Sequence, residues 1–110
     1  MPTIYKVLGQ SAPAAATATT LYTVPALTDS IVSTINAVNT HASTTDVIRI
    51  AVRPAGAALA TQHYIVYGLS LAAGATCTYT GGITVDTTDV ITVYSTNCTT
   101  SFSAFGSEIS

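Results

Sequence analysis

The sequence predicts an all-β protein, a single antiparallel β-sandwich of about eight short strands that becomes jelly-roll-like if the chain crosses between two sheets. Three observations lead there. Eight runs of five to nine residues are rich in β-branched or aromatic side chains, Gly, Pro, Asn and Asp stand between them, and no stretch carries an apolar stripe at helical spacing.

Segment 3–8 (TIYKVL) opens the series, and its Tyr5 and Leu8 can anchor the small-residue segment after it. Residues 11–20 (SAPAAATATT) have no side chain large enough to anchor a core, so they read as a low-complexity surface loop or as an arm that orders on a neighbouring subunit. Segment 20–24 (TLYTV) is closed by Pro25, and 30–38 (SIVSTINAV) by the polar stretch from Asn39 to Asp46. Alternation is clearest in 47–53 (VIRIAVR), where Ile48, Ile50 and Val52 point one way and Arg49 and Arg53 the other. Pro54-Ala55-Gly56 ends that run. The alanines up to Ala60 favour helix by propensity, but Gly56 and the missing apolar stripe make the segment a turn or loop. Segments 63–71 (HYIVYGLSL), 76–80 (TCTYT), 89–95 (DVITVYS) and 99–105 (TTSFSAF) complete the set, separated by Ala73-Gly74 and Gly81-Gly82 among others.

Composition narrows what such a sandwich can do. Only 8 of 110 residues are charged while 21 are threonine, against roughly 25% Asp, Glu, Lys and Arg in ordinary soluble domains, so hydroxyls and backbone must keep the surface wet. A net charge of −2, with Lys6, Arg49 and Arg53 the only cations, gives no basic stripe for a phosphate backbone and makes nucleic acid an unsuitable partner. No apolar run reaches the roughly 18 residues of a membrane helix, which argues against a membrane partner. Ala12-Pro13-Ala14 resembles a signal cleavage site, but Val7-Leu8-Gly9 is too short an apolar stretch before it, and with Met1 intact the expectation is cytoplasmic synthesis without export. Because alanine supplies much of the 48% apolar fraction, the expected core is thin, filled by Ile, Val, Leu and the six tyrosines.

No constellation points to catalysis. Cys77 and Cys98 lie 21 positions apart without a Cys-x-x-Cys partner, so they read as free buried thiols, with a cross-strand bond as the alternative. His41 and His63 have no Cys, Asp or Glu at metal-ligand spacing and read as solvent or loop histidines, so neither metal nor cofactor is expected. None of the serines lies in a Gly-x-Ser-x-Gly elbow. Asp86-Thr87-Thr88-Asp89 joins two β-runs and reads as a turn in which the side chains bond local backbone, a weak calcium loop being the competitor. Asn97-Cys98-Thr99 matches the glycosylation sequon, a coincidence expected where threonine is so frequent. Thr-x-Thr units such as Thr76-Cys77-Thr78 lack the fixed period of an ice-binding solenoid. A carbohydrate-binding module would need a row of exposed aromatics, and strict alternation sets Tyr64 and Tyr67 on opposite faces.

The wording of the chain adds a resemblance. YKVLGQSAPAAATATTLYTVPA (5–26), RIAVRPAGAA (49–58), HYIVYGLSL (63–71), GGITVDTTDVITVYS (81–95) and SFSAFGSEIS (101–110) resemble a group of small virion structural proteins of tailed bacteriophages, over nearly the whole length. The resemblance implies a compact β-sandwich that is a particle component, with no catalytic residues to carry over. The expected function is therefore non-enzymatic: a capsid cement or decoration protein, located in the virion, that binds the major capsid protein and copies of itself as a trimer. A tail, baseplate, collar or fibre-attachment subunit is the alternative, and a carbohydrate-binding β-sandwich module is the alternative of another class. Candidate assembly contacts are Ala12, Pro13 and Thr20 in the small-residue segment, Arg49 and Arg53 on one strand face, Pro54 and Gly56 in the adjoining turn, and Phe105 and Ile109 near the end.

Overall fold

The computed structural model describes residues 3–110; Met1 lies outside the described residues. Nine strands form: β1 Thr3–Ser11, β2 Thr19–Thr23, β3 Asp29–Asn39, β4 Asp46–Arg53, β5 Tyr64–Leu71, β6 Thr76–Tyr79, β7 Ile83–Val85, β8 Val90–Ser95 and β9 Thr100–Ile109. They pair antiparallel in two sheets, one ordered β1-β9-β3-β6 with β7 also on β3, the other β2-β8-β4-β5. β7 pairs with Ser30–Val32 and β6 with Ile35–Val38, so the two short strands lie end to end along one edge of β3. Between them the chain turns through Gly81 and Gly82, the latter at φ 62°, a conformation that favours glycine. Counted as one broken strand, they leave eight strands in two sheets of four, and every connection but the β4–β5 hairpin crosses between the sheets, in the jelly-roll order.

The sequence places these strands well but misses two features. Ile83–Val85, hidden behind the Gly-Gly break, is a separate strand, and β9 runs on to Ile109 as a central strand between β1 and β3. The only helical turns among the described residues are the 3₁₀ pieces Pro54–Gly56 and Thr61–His63, and the alanine segment between them forms no helix, as the turn-or-loop reading expects.

Packing follows the alternation. Ile48 and Ile50 of β4, Ile35 and Val32 of β3, Ile91 and Val93 of β8 and Phe102 of β9 are almost fully buried between the sheets, each stabilising by about 1.5–3 kcal/mol. The expected tyrosine filling is corrected: Tyr22 alone is buried, whereas Tyr5 is 84% and Tyr67 64% exposed. Aliphatic side chains suffice for a layer this thin.

Polar clamps close both ends of the sandwich. At one end the fully buried Asp46 carboxylate on β4 accepts hydrogen bonds from Val47 N and Asn97 N, both at 2.9 Å, from Thr100 Oγ1 at 2.6 Å and from Ser95 Oγ. Thr100 belongs to the other sheet, so the carboxylate joins the two layers. Beside it Asn39 of β3 donates through Nδ2 to Leu71 O (2.9 Å) on β5 and to Thr44 O (2.8 Å). At the opposite end the Tyr22 hydroxyl on β2 meets Ser30 Oγ (2.8 Å) on β3 and donates to Glu108 Oε2 on β9. Burial, and then the Glu108 hydrogen bond, push the Tyr22 hydroxyl up to about 12.

Candidate functional surfaces

Both outer sheet faces carry exposed features that packing does not explain. On the β1-β9-β3 face the register sets Tyr5 opposite Ser107, Val7 opposite Phe105 and Ile31 opposite Ser107. Tyr5, Val7 and Ile31 are exposed, and Tyr5 and Ile31, with Lys6, Ser33, Phe105, Gly106 and Ser107, line a shallow groove of about 490 Å³. Gly106 is required there by close approach, because a Cβ at that position would overlap the Ile31 carbonyl. The one charge on β1, Lys6, is tied to Glu108 at 3.2 Å. The Tyr22 hydrogen bond, helped by Lys6, holds the Glu108 carboxyl below its usual range despite desolvation.

The sheet edges differ in how they are guarded. β5 is bulged at two places, the β6–β7 edge is interrupted, and β2 is five residues long with a bulge of its own. β1 is nine residues long and regular from Thr3 to Val7. A bulge at Leu8 and the charge of Lys6 guard part of it, but Thr3–Val7 is the longest edge stretch without a register shift.

The outer face of the second sheet holds an aromatic row. On β4, Arg49 lies opposite Tyr67 of β5 and Tyr94 of β8, and its guanidinium carbon sits 4.5 Å from both ring centroids. Tyr64 meets the edge of Tyr67 with centroids 4.8 Å apart. Strict alternation is overturned here. Extra residues at Ile65 and Gly68 shift the β4–β5 register twice, and the one at Ile65, between the two tyrosines, brings Tyr64 and Tyr67 to the same face. The glycine inside the strand, Gly68 at φ 69°, signals the second bulge, whereas nothing in the sequence marks the one at Ile65. The connection 54–63 folds back beside this row: Gly56 comes near Val90, and His63 is buried with Nδ1 accepting from Ala60 N at 3.1 Å. Leu59, Ala60 and Thr61 of that connection, with Tyr64 and Tyr67, enclose an open hollow of about 540 Å³.

The candidate contact residues are spread over the molecule. Ala12 is exposed and Pro13 buried in the passage between sheets, which is tied down where Ala16 N donates to Ser95 O at 2.9 Å. Thr20 is exposed on β2, opposite Thr92. Arg49 and Arg53 share the aromatic face, Pro54 and Gly56 form the exposed turn beside it, Phe105 lines the groove, and Ile109 lies near Asp29 and Asp86 at one end. Phe105 and Ile109 belong to a central strand, not to a free tail.

The acidic turn has local work. Asp86 Oδ1 accepts from Thr87 N, while Asp89 accepts from Asp86 N through Oδ2 and from Ala55 N through Oδ1. Asp29 and Asp86 share a hydrogen bond that raises the first carboxyl and lowers the second. No metal-holding group of three or more His, Cys, Asp or Glu occurs among the described residues. Both cysteines are free, and Cys98 is exposed where a buried thiol was expected.

No protein-family model matches this chain, and no curated protein matches it.

Proposed function

We propose that the chain is a non-enzymatic virion structural protein, a capsid cement or decoration subunit that binds the capsid lattice and copies of itself, as a trimer, through the β1 edge and its adjoining face. The edge carries the proposal. Native sandwiches normally blunt their edges with charge, proline, bulges or short strands; β1 has Lys6 and a bulge at Leu8, yet before the bulge it offers a regular stretch, Thr3–Val7, whose exposed Tyr5 and Val7 adjoin Phe105 and Ile31. A neighbouring strand added there gains main-chain hydrogen bonds, and the groove takes its alternate side chains. Two further observations support it. The jelly roll is a recurrent virus-coat architecture, an argument by analogy of fold, and a surface with 8 charges in 110 residues can be covered without desolvating many ions.

The test uses Val7→Lys, the substitution by which natural edges are protected. The purified wild-type chain should cosediment with heads stripped of it. The variant, folded to within about 0.5 kcal/mol of wild type as surface changes usually are, should lose at least about tenfold in affinity, or about 1.4 kcal/mol. Wild-type chain that stays in the supernatant, or a variant that binds equally well, would sink the proposal.

A further inference from the structure

We propose that the outer face of the β2-β8-β4-β5 sheet binds carboxylate-bearing sugars, with Tyr64 and Tyr67 as the stacking platform and Arg49 as the carboxylate partner. Aromatic rings recognise sugars through the apolar C–H faces of the pyranose, and an arginine held beside them selects an acidic one by a forked pair of hydrogen bonds. Both parts are present. Tyr67 is 64% exposed and with Tyr64 walls the hollow of about 540 Å³; Arg49 is not in the lining but packs against the Tyr67 ring at 4.5 Å. That size lies within the ordinary range for small-ligand sites, about 300–1,000 Å³.

Unanswered polarity points to the same face. Among the described residues, five buried side-chain polar atoms lack a hydrogen-bond partner, and three of them, Arg49 Nε, Arg53 Nε and Thr92 Oγ1, belong to this one sheet. Buried polar atoms in native structures nearly always have a partner, so these need water or a ligand to supply what the chain does not. The single ion pair among the described residues is Lys6 with Glu108, so neither arginine has a carboxylate of its own. Arg49 is also preorganised: clasped between Tyr67 and Tyr94, its guanidinium has little freedom left to lose on binding.

An acidic glycan fits better than single-stranded nucleic acid, the other ligand that uses tyrosine and arginine together. Two arginines on a chain of net charge −2 can answer one or two carboxylates but not a phosphate chain. The face lies on the other side of the sandwich from the β1 groove, so it stays open when that groove is covered, and the two proposals can fail separately.

The test is titration of the full chain, monitored by tyrosine fluorescence and calorimetry, with trigalacturonate and 3′-sialyllactose as acidic probes, maltotriose as the neutral control and oligothymidylate as the competing class. Binding of at least one acidic probe is expected, at least about tenfold tighter than maltotriose, and which probe binds tells a uronate from a sialate site. Arg49→Lys, which keeps the charge but loses the fork, and Tyr67→Ala should each weaken it at least about fivefold, with an unchanged urea midpoint showing that the fold is intact. If Arg49→Lys shifts that midpoint, Tyr67→Ala carries the test, since its side chain is mostly exposed. Failure of both acidic probes to bind at millimolar concentration, equal binding of maltotriose, tighter binding of oligothymidylate, or indifference to Tyr67→Ala would each overturn the proposal.

Discussion

At the scale of single residues the protein depends on a few polar side chains placed where a larger sandwich would use apolar ones. Asp46 shows this most plainly. Burial alone would raise its carboxyl, but hydrogen bonds from Ser95, Thr100, Asn97 and Val47 outweigh it and hold the group below the usual carboxylate range. A folded-state value depressed below the unfolded one, about 3.9, means stability that is present above that pH and is lost as the pH falls through the folded value. Urea midpoints should therefore drop on acidification below about pH 4. Asp46→Asn, which keeps the shape but replaces an acceptor oxygen by a donor, should cost about 3 kcal/mol at neutral pH and flatten that acid limb. A variant as stable as wild type would show that the clamp between the sheets contributes little. Nothing in the sequence marked Asp46 beyond its place at the end of a polar stretch, because its partners Ser95 and Thr100 come from distant strands and meet it only in the fold.

At the scale of elements the decisive contacts are close backbone approaches and bulges. β9 lies between β1 and β3, and at Gly106 it comes so near Ile31 that a methyl group has no room. Gly106→Ala should destabilise by about 3 kcal/mol, the upper end for overpacking, read from a denaturation curve; a loss below about 0.5 kcal/mol would show that β3 yields easily. Strand positions were largely legible, since Val, Ile and aromatic alternation and glycine punctuation are local signals. Register was not. Leu8, Leu21, Ser33, Ile65 and Gly68 each stand where pairing shifts, and each shift reverses the parity from which faces are inferred. For that reason the Tyr64–Tyr67–Arg49–Tyr94 row was invisible to alternation, while the clean Ile48-Ile50-Val52 face of β4, which carries no extra residue, was read correctly.

At the scale of the whole molecule the sandwich measures about 46 × 27 × 20 Å, its thickness set by two sheets and its outer side chains. Its two broad faces have different chemistry: an apolar groove beside a free edge on one, tyrosine and arginine on the other. On the proposed reading, a subunit laid on a lattice by the first would present the second to the surroundings. The scarcity of charge, the first thing the composition announces, would then serve the face that the lattice covers. The proposed virion role is tested most directly by quantitative mass spectrometry of phage particles purified from cells that produce the chain. A decoration subunit should be present on the order of hundreds of copies per particle, in a fixed ratio to the major capsid protein, as lattice symmetry requires. Copies numbering only three, six or twelve would place it on the tail, and its absence from the particles would contradict the account.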